Sequence, residues 1–169
     1  MKLLTNRIGD FGCGEARIAQ SFPDRKVHSF DLVAGNSFIT PCNIAKVTNI
    51  SRNNEHPQVP LKDDSLDISI FCLSLMGRDW PLFILEGTRC LKKGGTLKIV
   101  EVMSRFKNLT SFIAFIRSLG YEKINEEKPN NSDYFIFLQF ELKRKKVEKG
   151  LLILDEISTL LLPCPYKRR

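Results

Sequence analysis

Apolar and polar positions along the chain alternate in two periods, and the change from one to the other marks out the elements. A short apolar run over 7–11 predicts a first strand, and residues 15–22 read as a helix closed by the Pro23-Asp24 turn. Alternation over 27–32 predicts a second strand ending at Asp31, and a short third strand over 37–40 leads into Pro41-Cys42-Asn43. Residues 48–60 are polar, with three asparagines and two prolines, and read as a loop or insertion. The nearly unbroken apolar run over 66–75 is what a central parallel strand covered on both faces requires. Helical spacing returns over 82–91 and stops at Lys92-Lys93-Gly94-Gly95, where cations near a helix end and glycine beyond it suit a C-terminus. A strand over 96–103, an amphipathic helix over 109–119 closed by Gly120, and two strands over 121–125 and 134–142 complete the pattern. Strands alternating with helices imply an α/β fold with a doubly wound, mostly parallel sheet, ended by an antiparallel strand pair.

Candidate chemistry collects where such a sheet binds ligands, beyond the carboxyl ends of its strands. Between strand one and the first helix stands Asp10-Phe11-Gly12-Cys13-Gly14. Glycine tolerates positive φ and lets backbone approach a ligand, as Rossmann-like folds do with nucleotide cofactors. The third glycine of the dinucleotide fingerprint is absent, since Arg17 stands there. Asp-x-Gly-x-Gly instead resembles the first motif of S-adenosylmethionine-dependent methyltransferases. About twenty residues on, Asp31 is placed to accept both ribose hydroxyls. Cys42-Asn43-Ile44 can meet the adenine, the amide donating and accepting at its edge and Ile44 covering its face. The run 71–77, with Cys72, Ser74 and Met76, falls beside the reacting methyl. Each residue also has an ordinary reading: an unspecialised glycine turn, Asp31 as a helix cap, Cys72 as a small core residue.

Taken together these motifs resemble one family. Asp10-Phe11-Gly12-Cys13-Gly14, Phe30-Asp31-Leu32, Phe71-Cys72-Leu73-Ser74-Leu75-Met76-Gly77, Leu91-Lys92-Lys93-Gly94-Gly95, Glu101-Val102-Met103-Ser104-Arg105-Phe106 and the terminal Pro163-Cys164-Pro165-Tyr166-Lys167-Arg168-Arg169 follow the pattern of the nucleolar ribosomal-RNA-processing methyltransferases, the nucleomethylin family. The resemblance implies a Rossmann-like class I methyltransferase fold. It also implies S-adenosyl-L-methionine as cofactor, and methyl transfer to adenine N1 of large-subunit ribosomal RNA during ribosome biogenesis in the nucleolus. Gly12, Asp31, Asn43, Ile44 and Cys72 fall on the family's cofactor-contacting positions, and Gly14 completes the glycine turn. Three departures stand out. Asn43 replaces the usual Asp, which drops a charge but keeps a hydrogen-bonding group. The 48–60 region is longer than in typical members. Only about seven residues precede strand one, where the family carries a helical segment with a cofactor-touching histidine.

Composition adds a direction. The 169 residues carry a formal net charge of +7, which favours an anionic partner such as RNA, while the resemblance implies nucleolar proteins as further partners. Much of the excess lies in Lys143-Arg144-Lys145-Lys146 and Lys167-Arg168-Arg169, so residues 1–142 read as the methyltransferase domain and 143–169 as a basic tail. An apolar patch over 151–154 and 160–162 could fold that tail back onto the domain. Arg105 and the tail are candidate phosphate contacts. Ser74, Met76 and Glu101 are candidates to line a pocket for a flipped base. Adenine N1 already owns a lone pair, so no base is needed, and neither His28 nor His56 is placed to act as one. No catalytic residue is assigned. Five dispersed cysteines, with no Cys-x-x-Cys pair, suit neither a disulfide framework nor a metal site and point to a reducing compartment. No stretch approaches the roughly 20 apolar residues of a membrane span. Two rival readings remain: a catalytically inactive scaffold of the same fold that binds RNA or protein, and a methyltransferase for small molecules.

Overall fold

The computed structural model describes residues 6–45, 58–129, 132–146 and 154–164. Its elements run β1 (Arg7–Phe11), α1 (Arg17–Ser21), β2 (Lys26–Asp31), β3 (Ile39–Pro41), β4 (Leu66–Cys72), α2 (Trp80–Cys90), β5 (Leu91–Val102), α3 (Leu109–Ser118), β6 (Tyr121–Glu127), β7 (Phe135–Leu142) and α4 (Leu154–Ser158). The strands form one sheet in the order β3-β2-β1-β4-β5-β7-β6. Only β7 runs against its neighbours, inserted between β5 and β6, so the expected antiparallel end is present. The chain winds outward from β1 to β3, then returns to place β4 on the other side of β1. That reversal opens a crevice at the carboxyl ends of β1 and β4.

Side-chain parity sorts the helices into two layers. Phe11, Phe30 and Phe71 from three adjacent strands pack together, with Phe11 and Phe71 stacked at 5.1 Å. Against this face lie α2 and α3, whose Trp80, Phe112 and Phe115 rings meet at 5.2 and 5.5 Å. Val27 lies at odd spacing from Phe30 on β2 and faces the opposite way, where Ala16, Ala19 and Ile39 form a smaller cluster under α1.

Several boundaries differ from expectation for local reasons. The apolar run over 66–75 stops being a strand at Cys72, because Leu73 takes a left-handed φ of 54°. The Lys92-Lys93-Gly94-Gly95 segment, expected to end a helix, lies within β5. Helix α2 passes straight into β5, and pairing with β4 jumps from Leu91 to Thr96 across the two glycines. The third strand begins at Ile39 instead of residue 37. Of the polar 48–60 region, residues 48–57 lie outside the described residues, and Val59 beyond them is fully buried. His56 and the basic Lys167-Arg168-Arg169 also fall outside.

The segment after β7 is tied to the domain. Lys143 pairs with Glu122 and Glu141, while Lys145 pairs with Asp64 and donates to the Arg89 carbonyl, so these cations are partly spent within the chain. Farther on, Ile157 and Leu161 are buried, and Trp80 Nε1 donates to the Ser158 carbonyl at 3.1 Å.

The contact of α2 with the sheet depends on Gly87. A Cβ there would lie 2.8 and 2.9 Å from Phe71 ring atoms, in a ring already fixed against Phe11. Gly87→Ala should therefore lower stability by about 1–2 kcal/mol in urea unfolding, because overpacking outweighs alanine's better helix propensity. A stabilised variant would contradict this packing.

Candidate active site

A cleft of about 210 Å³ opens at the switch point, lined by Asp10, Gly12, Cys13, Glu15, Arg17 and Cys72. The turn beyond β1 is held to the end of β2 by main-chain bonds. Gly12 N and Cys13 N both donate to the Phe30 carbonyl, at 2.8 and 3.0 Å. Asp31 then folds toward the turn: Oδ2 accepts from Gly14 N at 2.9 Å and Oδ1 from Leu32 N at 2.7 Å. Each oxygen keeps a further lone pair, so the carboxylate can still accept from two adjacent hydroxyls.

The two glycines have different tasks. Gly12 (φ 74°) must lack a side chain because a Cβ would stand 2.4 Å from Ser74 Cβ, on the turn after β4. Gly14 (φ 57°) has nothing within 4 Å of such an atom, so its missing side chain leaves open space beside Asp31. That opening and the two-oxygen acceptor fit the ribose of a nucleoside.

Asn43 is half-buried just beyond β3, and Cys42 N bonds to the Asp31 carbonyl at 2.8 Å, which brings this corner beside the carboxylate. Asn43 Oδ1 already accepts from Ala45 N at 3.0 Å, leaving the Nδ2 hydrogens to donate outward. Ile44 is 3% exposed and packs into the main core. Cys72 is exposed at the end of β4 and lines the cleft, with its thiol held above the ordinary value by burial and then by Asp10 and Glu101. Gly12 and Cys72 thus line the cleft itself, Gly14 and Asp31 are bonded to each other on the turn beyond Gly12, Asn43 follows the Cys42 that bonds to Asp31, and the Ile44 side chain points into the core.

Two sequence expectations need correcting. Glu101 does not line an open pocket, and Arg105 is not available for phosphate. Glu101 is wholly buried, and its Oε2 pairs with Arg105 Nη1 at 2.6 Å. Arg105 is 8% exposed and spends its other donors on the carbonyls of Leu75 and Leu162. The spacing Glu101…Arg105 carried a signal, since oppositely charged residues four apart at a strand end can close on each other through a tight turn. Ser74 is buried with an unpartnered Oγ against Gly12, and the half-buried Met76 accepts from Cys164 N through its carbonyl.

Asp10 opens the glycine motif, yet the sequence alone does not single it out as a site residue. It is 3% exposed at the cleft floor, and burial together with the nearby Asp31 charge pushes its carboxyl up to about 6. The same burial, aided by Asp10 and Asp31, lifts the Cys13 thiol to about 12. Glu15 in the cleft lining is paired with Arg17, which leaves Asp10, beside two thiols, as the lining's unpaired charge and suits it to a cationic group. Among the described residues no group of three or more His, Cys, Asp or Glu stands ready to hold a metal.

The sheet order and its crevice give the Rossmann-like fold of methyltransferases. The chain belongs to the family described as hypothetical methyltransferase, whose sequence model matches residues 2–169. It is 37% identical over 174 residues to ribosomal RNA-processing protein 8 of Dictyostelium discoideum, covering 96% of this chain and 41% of that protein. It is 38% identical over 167 residues to the 25S rRNA (adenine(645)-N(1))-methyltransferase of Schizosaccharomyces pombe, covering 96% and 46%. The chain thus spans less than half the length of these curated relatives. Among solved structures it resembles a methyltransferase from Thermotoga maritima at a TM-score of 0.61 and 17% identity, over 84% of each chain. A Burkholderia thailandensis 1,6-didemethyltoxoflavin-N1-methyltransferase, solved with S-adenosylhomocysteine, matches at 0.62 and 11%, over 82% of this chain and 72% of that one.

Burying the Asp10 charge costs stability. Its folded value lies above the ordinary 3.8, so the carboxyl favours the folded state only while protonated, and stability falls as pH rises from about 4 through about 6. Asp10→Asn should raise stability above pH 7 by on the order of 2–3 kcal/mol, with the gain vanishing below pH 4. Chemical unfolding across that range measures it; a pH-independent difference would contradict the assignment.

Proposed function

We propose that this chain is a methyltransferase domain that takes S-adenosyl-L-methionine in the β1–β4 crevice and methylates N1 of an adenine in large-subunit ribosomal RNA. The observation that carries the reading is Asp31 folded onto Gly14, which leaves a two-oxygen acceptor beside open space. The Schizosaccharomyces pombe relative, named for this reaction, supports the choice of substrate.

In this reading Gly12, Gly14, Asp31, Asn43, Ile44 and Cys72 form the cofactor site. Asp31 accepts the two ribose hydroxyls, Asn43 Nδ2 donates to the adenine edge, and Ile44 packs beneath that corner. Asp10 sets a negative charge at the cleft floor. When bound, the cofactor supplies an electrophilic methyl on a sulfonium. Adenine N1 is a neutral nucleophile with its lone pair in the ring plane, so the chain contributes orientation and not a base. The one histidine within the described sheet, His28, is held below its ordinary value by burial and by Lys26 and Arg7, consistent with a structural place in β2. A base in structured RNA must leave its stack to reach the cleft. Exposed Arg78 and Lys107, on the turns after β4 and β5, are suited to the RNA backbone in place of the buried Arg105. A pre-ribosomal RNA substrate would be met in the nucleolus, among ribosome-assembly proteins.

Calorimetry with S-adenosylmethionine should give micromolar or tighter binding, and Asp31→Ala should weaken it by about a hundredfold, as the loss of two charge-assisted hydrogen bonds requires. Asp10→Asn should weaken it too, despite stabilising the fold. Depleting the protein should erase one N1-methyladenosine from large-subunit ribosomal RNA, read by reverse-transcription arrest. Absence of cofactor binding would favour a scaffold, and binding with an unchanged RNA methylation map would favour a small-molecule substrate.

A further inference from the structure

We propose that residues 160–164 form a fixed wall on the acceptor side of the transfer site, and that Arg105 is the positioning residue coupling this wall to the turn after β4. The inference rests on the methyltransferase reading above and extends it to a segment distant in sequence from every cofactor motif.

Arg105 sends each of its three nitrogens to a different part of the chain. Nη1 pairs with Glu101 Oε2 at 2.6 Å at the end of β5, Nη2 donates to the Leu75 carbonyl after β4, and Nε donates to the Leu162 carbonyl at 2.9 Å. The partners answer. Leu162 N donates to the Arg105 carbonyl at 2.8 Å, and Leu75 N to Glu101 Oε1 at 3.3 Å. Further main-chain bonds extend the seam: Lys107 N to the Leu160 carbonyl and Cys164 N to the Met76 carbonyl, each at 3.0 Å. An arginine fork gives planar, directional bonds that a lysine point charge cannot reproduce.

The turn held this way is strained and follows directly on Cys72, which lines the cleft. Leu73 sits at φ 54° with its N–H on the Val100 carbonyl at 2.9 Å, and Ser74 presses on Gly12. Such a conformation persists only when its surroundings enforce it. Gly14, Asp31 and Asn43, in contrast, hang on β1–β3 and share no bond with Arg105. The geometry therefore separates two tasks. Loosening the wall shifts the turn and misaligns the acceptor, while the part of the cradle on Gly14, Asp31 and Asn43 keeps its own bonds.

Two variants test this coupling. Leu162→Pro deletes the N–H bonded to Arg105 while sparing the core, since Leu162 is 41% exposed. Arg105→Lys keeps the charge opposite Glu101 and loses the fork. Both should leave S-adenosylhomocysteine affinity within about threefold of the parent, by calorimetry, while kcat for methyl transfer to an adenine-bearing fragment of large-subunit ribosomal RNA falls at least about tenfold, as small misplacements do. Amide hydrogen exchange at residues 73–77 should quicken at least about tenfold, with residues 12–14 unchanged. Unchanged exchange at 73–77 in both variants, or a parallel loss of cofactor affinity and turnover, would overturn the proposal. A parent protein that neither binds cofactor nor transfers methyl would defeat the functional reading instead, and exchange alone would then decide whether the wall and the turn are coupled.

Discussion

The end of β4 can reach the end of β1 only because Gly12 has no side chain. Ser74 occupies the space a Cβ would need, and this approach brings the turn after β4 within range of the glycine loop. The rest of the site is held from the β2 side by bonds of its own. Gly12 and Cys13 hydrogen-bond to the end of β2, Asp31 folds back onto Gly14, and Cys42 in turn bonds to Asp31. Three strand ends are thereby locked into one concave rim.

The rim is electrically costly. Asp10 lies at its floor with Asp31 nearby and no cation of the chain paired to it among the described residues. The chain has cations enough, but it spends them elsewhere: Arg105 on Glu101, Arg89 on Glu86 and Asp63, Lys145 on Asp64. An uncompensated buried carboxylate in an otherwise well-paired protein points to a ligand that carries positive charge. Fold alone would not make that argument, since unrelated chemistries share this sheet.

Much of the architecture was legible in the sequence because strand and helix periods are local. The continuous apolar run of β4, the alternation in β2 and the spacing of α3 each specify their element without help from the rest of the chain. The misread places are those where distant residues decide. Nothing near Leu73 announces a left-handed residue, because the partners that hold this turn, Val100, Glu101 and Arg105, arrive about 30 residues later. Lys92-Lys93-Gly94-Gly95 has the composition of a helix stop, yet pairing with β4 draws it into a strand. Glu101 and Arg105 looked like site and surface residues because charge suggests exposure; only their mutual neutralisation permits burial. Asn43 was legible in place but not in role, since its Oδ1 is claimed by the Ala45 amide.

Trp80 is the chain's single tryptophan, and it is fully buried, with its indole nitrogen bound to a carbonyl of α4. Detachment of that helix would leave the indole donor without its partner and admit solvent to the ring. The protein thus carries a native optical label, sensitive to docking of α4, so emission colour and quenching can follow that event without any dye.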